Sequence, residues 1–592
     1  PRPPSRRRKP PRLGEPKRRL RLATVLVLAL FTVVAGRLVQ IQLTDAKAYA
    51  HQGLTDRLKT VELPASRGTI YDRDGAILVH SVDARYVSAD PTQVQNPEET
   101  ATRLFAVLSK VGVSRSDILN RIVPHQRANG ESARFEYLAR GVDASIGKEV
   151  DALGLSGIDT GRDERRDVPN HDLAANVLGF TRKSDQIGLA GVEAGYDDAL
   201  RGVDGSRTFE IGDSTLAREI PGGYTHTVSA RPGSSLQLTI DRDLQHTVQS
   251  MLTQRAQQAR ATFACAVVLD TRTFEVFAQA SYPTYDAANP MDTSARQRRD
   301  ACTEIVYDPG SVHKALVVGA ALEENVLTAD APVVVGPSIT KGDTTYTDHD
   351  RQRPGTAMTL PGILALSSNV GTIKIADLLG KEKLYEYQRR FGLGTVTGEG
   401  LPNESSGQLL PPEEWTGSSY GSIPIGDGVA VTAIQMAAAY AAIANGGVWM
   451  PPRIVRATIG PDGKKKATPA GEHRRVISAE HARDLRFMME AVTTLDNATG
   501  RSAAIDGYRV AGKTGTGLYP QNGGYAPGNV ASFIGMAPAD APRFVIAVVA
   551  HVPVGGGGTI CAPAFRDMMS FVLGKYQVPP TGTTPPTFSV YP

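Results

Sequence analysis

Three short clusters in this 592-residue chain carry residues whose types and spacing could do chemistry. In the first, Asp308-Pro-Gly-Ser-Val-His-Lys314, a turn at Pro309-Gly310 leads into the apolar run 315–322, which reads as a helix. Ser311 then sits at or beside the helix start, where free backbone N–H groups stabilise the charge developing on an attacked carbonyl. Lys314 follows at i+3 on the same face. A serine hydroxyl is a poor nucleophile until a base takes its proton, and a lysine is such a base once burial or nearby cations lower its pKa. Alone, this spacing is common, and an N-capping serine beside a solvated lysine is the plainer reading. Two later clusters change the balance. Ser367-Ser-Asn369 follows an apolar helical stretch, 360–366, and Lys513-Thr-Gly-Thr516 closes a strand-like run, 508–511. On that strand Thr514 and Thr516 face one side, and Gly515 lets a ligand approach the backbone closely. A serine with its base, further hydroxyls and a second lysine suit acyl transfer from a substrate that ends in a carboxylate.

Other patterns are weaker. Gly507-Tyr-Arg-Val-Ala-Gly-Lys-Thr514 satisfies the phosphate-loop spacing, but such a loop needs a strand before it and a helix after it. Here residues 478–492 before it read as a helix and the Gly/Pro-rich stretch 515–527 follows, so a nucleotide site is excluded. Cys265, Cys302 and Cys561 are too scattered for a zinc site or a disulfide framework, although a bridge between Cys302 and Cys561 is compatible with an exported domain. Asp348-His349-Asp350 has no second histidine at ligand spacing and reads as a solvated turn. No metal site is expected.

The elements that must position these groups follow from pattern. Ten of the 65 Lys and Arg residues and one of the 61 acids lie in residues 1–21, leaving 55 bases against 60 acids beyond them. The body is therefore slightly acidic, which argues against a nucleic-acid partner. Residues 22–36 carry no charge and the apolar run resumes after Arg37, giving roughly the 20 residues of one bilayer crossing. The basic tail before it predicts a cytoplasmic N-terminus and an extracytoplasmic body. Residues 44–232 read as mixed α+β, with a helix over 98–112. After Arg231-Pro-Gly233 the segments become larger and more apolar: a helix over 241–255, a hairpin over 264–280, buried helices over 311–323 and 433–444, and a core strand over 544–552. Gly555–Gly558 reads as a mobile loop and the Pro/Thr-rich end, 578–592, as disordered. The expected domains are a tail (1–21), an anchor (22–43), a first exported domain (44–232), a catalytic domain (233–576) and a terminal tail (577–592).

S-x-x-K, S-x-N and K-T-G, in that order on helix, loop and strand, form the signature of penicillin-binding proteins and serine β-lactamases. The chain resembles class B penicillin-binding proteins, most of all the septal division transpeptidases. Arg67-Gly-Thr-Ile-Tyr-Asp-Arg-Asp-Gly75 with Leu78, Arg166-Asp-Val-Pro169 with Leu178-Gly179, and Gly188-Leu-Ala-Gly-Val-Glu193 with Leu200, Gly202 and Gly205 resemble the three pedestal motifs of that family. Residues 428–447 resemble a segment near its active site. The resemblance implies an α+β multidomain chain with a single N-terminal transmembrane helix, an elongated α+β pedestal of the dimerisation type, and a penicillin-binding transpeptidase domain with a five-stranded antiparallel sheet between helices.

It also implies the chemistry. Ser311 would attack the carbonyl between the terminal D-alanines of a peptidoglycan stem peptide, with Lys314 as proton acceptor and the backbone N–H groups of Ser311 and Thr516 holding the oxyanion. Ser367 would relay the proton to the leaving D-alanine and Asn369 would orient Lys314. Lys513, Thr514, Gly515 and Thr516 would bind the terminal carboxylate. A second strand's amine would resolve the acyl-enzyme into a cross-link, with no metal or organic cofactor, and β-lactams would acylate Ser311. The expected partners are stem peptides, the membrane, a membrane glycosyltransferase and other division proteins. An elongation-type transpeptidase or a D,D-carboxypeptidase uses the same triple, and a β-lactam sensor or division scaffold keeps the fold without turnover. Two positions depart from the family: His313 replaces an aromatic residue and is expected to pack or face solvent, and Asp167-Val168 stands where a tyrosine usually precedes Pro169.

Overall fold

The computed structural model describes residues 16–44, 57–127, 130, 132–212 and 219–592, with Lys47 and Gly53 as single positions. Arg2, Arg6, Arg7, Arg8, Lys9 and Arg12, most of the basic tail, lie outside the described residues. The chain divides into two compact units, residues 1–63 with 204–230 and residues 64–203 with 231–592.

The first unit holds a helix, Pro16–Val39, with no buried side chain. With the turn that follows it, it is long and apolar enough to cross a membrane. It starts earlier than the apolar run predicts, so Lys17, Arg18, Arg19 and Arg21 sit on its first turns. Thr24 and Thr32 donate their hydroxyls to the carbonyls of Leu20 and Leu28, both at 2.9 Å, which satisfies these groups inside the helix as a lipid surrounding requires. The unit also contains a three-stranded antiparallel sheet of Leu58–Leu63, Gly205–Glu210 and Thr225–Val228.

In the second unit, one sheet joins strands from distant stretches of chain. Its path runs Lys465–Ala467, Val455–Ile459, Ser235–Leu238, Ile70–Tyr71, Ile77–Ala89 and Glu136–Val142, and Ile158–Asp167 also pairs with Ile77–Ala89. Strands on both sides of Arg231-Pro-Gly233 thus share hydrogen bonds, including a parallel pairing of Ile70 with Leu236. The three stretches that resemble pedestal motifs meet in a buried ion network. Arg67 Nε donates to Glu193 Oε2 at 2.7 Å and its Nη1 to Asp197 at 2.6 Å, while Arg166 Nε donates to Glu193 Oε1 at 2.8 Å. Glu193 is 1% exposed, so each of its oxygens is committed to a guanidinium. At the departure from the family, Val168 is buried.

A second sheet contains strands β1 (Phe263–Asp270), β2 (Val276–Tyr282), β3 (Ala511–Gly517), β4 (Asn529–Ala537) and β5 (Phe544–Val552), in the order β2-β1-β5-β4-β3, every pair antiparallel. All nine residues of β5 are buried. Their alternation explains this: Val545, Ala547 and Val549 join a core with Leu316, Ala437 and Leu485, whereas Phe544, Ile546 and Val548 join one with Leu244, Phe565 and Met568. Helices therefore cover both faces, Arg242–Gln258 and Gly557–Lys575 on one, Lys314–Glu323, Ala433–Ala444 and Ala479–Thr494 on the other. Arg73, from the first of the three motifs, lays its guanidinium 3.6 Å from the ring centroid of Phe277 on β2.

Several expectations are corrected. The last helix begins at Gly557, so Gly557 and Gly558 form its first turn rather than a mobile loop. The Pro/Thr-rich end, expected to be disordered, has no regular structure and is mostly exposed, but several of its groups are bonded to the catalytic domain. Thr359 N–H donates to the Val590 carbonyl at 3.0 Å, Phe588 meets Phe487 edge to face at 5.0 Å, and Arg509 donates to Thr583 at 3.0 Å. Two apolar side chains and a few backbone groups found partners that composition could not foretell. All three cysteines are buried free thiols.

Glu193→Ala leaves two buried guanidinium groups without their shared carboxylate, and we expect a loss of about 3–5 kcal/mol in unfolding free energy. Lys110→Ala, which opens a pair exposed on both sides, should cost less than about 1 kcal/mol. Denaturant unfolding of the two variants checks the contrast.

Candidate active site

The nucleophile cluster folds more tightly than its pattern predicts. Gly310–His313 is a 3-10 turn, and the α-helix proper starts at Lys314. In such a turn residues three apart lie on one side, which puts Ser311 and Lys314 on the same face. Gly310 has φ +55°, and a Cβ there would lie 2.4 Å from the Thr516 carbonyl oxygen. Tyr440, on the fully buried Ala433–Ala444 helix, donates its hydroxyl to the Val312 carbonyl at 2.7 Å and holds the turn from below. The Ser311 side chain is half-buried and its hydroxyl makes no hydrogen bond to any described residue.

Lys314 is completely buried. Its Nζ donates to Asn369 Oδ1 at 2.6 Å, to the Ser367 carbonyl at 2.7 Å and to Ser367 Oγ at 3.3 Å. Burial pulls its pKa down to about 7, against the opposing pull of Asp348 and Asp427. Ser367 sits at φ +57°, a left-handed conformation that costs a serine energy and turns its carbonyl and its hydroxyl onto the same amine. Ser368 then caps the Asn369–Leu379 helix, accepting from Gly371 N–H at 2.9 Å. Asn369 completes its own bonding through Nδ2 to the Thr347 carbonyl at 2.9 Å.

Asp348 corrects an expectation. His349 and Asp350 are solvated, but Asp348 is buried and accepts from Ser368 Oγ at 2.6 Å and from Val370 N–H at 2.9 Å. It fixes the helix start that carries Asn369. His313 is packed, not solvent-facing: its Nδ1–H donates to the Pro424 carbonyl at 3.2 Å, and the Gln388 amide donates to Nε2 at 2.9 Å. Burial takes its pKa down to about 4, so it is neutral and has no free nitrogen.

Strand β3 lines the other side. A Cβ on Gly515 would stand 2.8 Å from the Pro309 carbonyl oxygen and 3.0 Å from a methyl of Val312, so only glycine lets the strand lie against the nucleophile's turn. Asp308 N–H donates to Leu518 carbonyl at 3.0 Å along the same contact. Lys513 is buried, donates to the Thr514 carbonyl at 3.2 Å, and has its pKa driven well down by burial and by the nearby Lys314. Thr514 and Thr516 share a side, as the strand period requires, but are not equivalent: Thr514 is buried and donates to Thr499 at 2.8 Å, whereas Thr516 is exposed. Lys513 and Thr514 lie inside the strand rather than at a helix N-terminus, which removes the phosphate-loop reading. Among the described residues no group of His, Cys, Asp and Glu could hold a metal ion.

The structure thus gathers Ser311, Lys314, Ser367, Asn369 and the 513–516 strand into one site. Pattern reading missed Asp348, Tyr440 and a carboxylate pair, Asp308 and Asp427. Asp308 accepts from Tyr525 Oη at 2.9 Å and from Gly428 N–H at 3.0 Å. Only the position of Asp308, at the head of the Ser311 cluster, could have signalled any of these.

Residues 264–570 match the family described as penicillin binding protein transpeptidase domain, and residues 62–238 match the penicillin-binding protein dimerisation domain. The chain is 36% identical over 596 residues to penicillin-binding protein PbpB of Mycolicibacterium smegmatis, covering 95% of this chain and 91% of the relative. It is 31% identical over 564 residues to the peptidoglycan D,D-transpeptidase FtsI of Escherichia coli, covering 94% and 92%. The crystal structure of penicillin-binding protein 3 from Mycobacterium tuberculosis complexed with ampicillin superposes with a TM-score of 0.70 at 30% identity, over 90% of this chain and 100% of that one. A serine, a buried lysine and a K-T-G strand in this arrangement, with both domain matches, place the chain in the class B penicillin-binding proteins: it belongs to the penicillin-binding protein transpeptidase family.

Proposed function

We propose that the chain is the peptidoglycan D,D-transpeptidase of septal wall synthesis, cross-linking stem peptides through an acyl-enzyme on Ser311. The observation that carries this reading is the buried Lys314 amine, with a pKa of about 7, three residues along the same turn from a serine whose hydroxyl makes no hydrogen bond to any described residue. Near neutral pH a large fraction of it is the free base. As Ser311 Oγ bonds to the carbonyl carbon of the penultimate D-alanine, its proton passes to Lys314 Nζ. The oxyanion is held by the N–H groups of Ser311 and Thr516, donors that act most strongly as charge develops. When the C–N bond breaks, the proton moves from Lys314 through Ser367 Oγ to the leaving D-alanine amine. Asn369 keeps Nζ aimed during both transfers. The substrate carboxylate binds first at the exposed Thr516, with Thr514 and Gly515 beside it, and supplies the counter-charge that favours the protonated form of Lys513. A second stem peptide's amine then attacks the ester and releases Ser311.

Septal action and β-lactam binding draw support from relatives named peptidoglycan D,D-transpeptidase FtsI and Stage V sporulation protein D, and from the ampicillin complex of a relative at 30% identity. The Pro16–Val39 helix serves as a single-pass anchor with its basic end cytoplasmic and the catalytic domain outside. A membrane glycosyltransferase and other division proteins are the partners this placement calls for. A boundary near residue 232 separates pedestal from transpeptidase.

A fluorescent penicillin should label the wild type and not Ser311→Ala, and the wild type should gather at the septum of dividing cells. Label retained by the variant, or absent from the wild type, contradicts the nucleophile assignment; incubation with cross-linkable glycan that yields free D-alanine and no dimeric peptide makes the enzyme a carboxypeptidase. The penicillin acylation rate should also depend on pH. Protonation of Lys314 removes the base, so the rate falls about tenfold per unit below pH 7 and levels off above it. A rate that is flat between pH 5.5 and 8 contradicts the lysine's role.

A further inference from the structure

The mechanism above leaves one charged group beside the nucleophile unused. Asp427 follows the Ser419–Ile425 helix and its left-handed cap Gly426. The residues on either side of it are bonded to the nucleophile's own turn: Gly310 N–H donates to the Gly426 carbonyl at 3.0 Å, and Gly428 N–H donates to Asp308 Oδ2 at 3.0 Å. Its backbone N–H is taken by the Ser422 carbonyl at 3.0 Å. Its carboxylate, by contrast, makes no hydrogen bond and no ion pair with any described residue. The charged and titratable groups that face it are Asp308 on the nucleophile turn, Lys314 on the helix, Tyr525 on the hairpin after β3, and Tyr346.

None of these is its partner. Lys314 has three N–H bonds when protonated, and Ser367 and Asn369 supply three acceptors for them. Tyr525 gives its hydroxyl to Asp308 at 2.9 Å and Tyr346 gives its own to the Ser418 carbonyl at 2.9 Å. Asp308 repels it. A partly buried carboxylate with open lone pairs is free to accept from a cationic hydrogen-bond donor from outside the protein. Burial and Asp308 raise the Asp427 pKa to about 6, which makes it a stronger base than an ordinary aspartate while leaving it ionised at neutral pH. The second substrate of a transpeptidase is a primary amine, a cation at neutral pH, and it must lose a proton to become a nucleophile.

We propose that Asp427 recognises the acceptor: its carboxylate binds the primary ammonium of the second substrate beside acylated Ser311 and takes one proton from it. The proposal rests on the transpeptidase reading and deepens it. The ammonium gives its first proton to Asp427; the free nitrogen pair forms a bond to the ester carbon; the bond from that carbon to Ser311 Oγ breaks; and the second proton passes from nitrogen through Lys314 to Ser311 Oγ. The third stays on the new amide, and Asp427 returns its proton to solvent.

The test measures how one acyl-enzyme divides among competing acceptors, so it is independent of how fast that acyl-enzyme forms. Full-length protein in detergent is given a D-alanyl thioester donor with D-alaninamide, a cationic acceptor, or methanol, a neutral one, and the products are counted against hydrolysis. Asp427→Asn should lower the aminolysis-to-hydrolysis ratio by about tenfold, as expected for loss of one charge-assisted hydrogen bond, and by clearly more than it lowers the methanolysis ratio. Asp427→Glu should recover much of the amine preference. An unchanged amine ratio, or an equal fall for amine and methanol, overturns the role of Asp427 while leaving the transpeptidase intact. Failure of the wild type to form a donor adduct on Ser311, read by mass spectrometry, overturns the transpeptidase reading and this proposal with it.

Discussion

Taking the Lys314 amine out of water is the constraint on which the site depends. An ammonium held in bulk water is a poor base at neutral pH, because its pKa is about 10.4. Complete burial penalises the charged form and brings the value to about 7, yet two nearby carboxylates and three oxygen acceptors keep that form accessible. A more thorough desolvation would make the lysine unable to hold the serine's proton; a closer ion pair would make it unable to accept it. The neighbouring Lys513 is a second desolvated amine, its pKa driven well down by burial and by Lys314.

Holding that balance requires three separate pieces of chain to close on one amine. The Ser311 turn comes from a helix packed on the face of the five-stranded sheet, and Tyr440 pins it there. The Ser367 turn accepts a left-handed backbone so that two of its oxygens reach Nζ, and Asp348 fixes the helix that follows. Strand β3 presses against the nucleophile's turn where Gly515 leaves no side chain to keep them apart. Each contact is local, but the sheet connects them. Because β1 and β5 are buried on both faces, a shift of one helix is resisted by the packing of the others.

The parts of this arrangement that were legible in the sequence are those written in contiguous residues. Ser311 with Lys314, Ser367 with Asn369, and Lys513 to Thr516 each announce themselves by spacing, and their order on helix, loop and strand carries the rest. The buried helix Ala433–Ala444 and the core strand β5 were visible for the same reason, since unbroken apolar runs have few other places to go. Asp348 was not visible, because a carboxylate in Asp-His-Asp looks solvated until the Ser368 hydroxyl arrives from another segment. Nor were the contacts made near the end of the chain, where Phe588 and Val590 sit among prolines and threonines and find partners only through tertiary contact. The sheet that joins Ser235–Leu238 to Ile70–Tyr71 was hidden likewise, since parallel pairing across such a separation leaves no trace in local pattern.

The state of one amine decides between this account and a merely structural reading of the same residues. Selective isotope labelling of the lysine side chains, with Lys314 assigned by comparison with Lys314→Arg, allows its titration to be followed directly by NMR in the full-length protein in detergent. A midpoint near pH 7, separated from the other lysines, is the result predicted here. A midpoint near 10, shared with the surface lysines, would contradict it, because Ser311 would then have no base beside it at neutral pH.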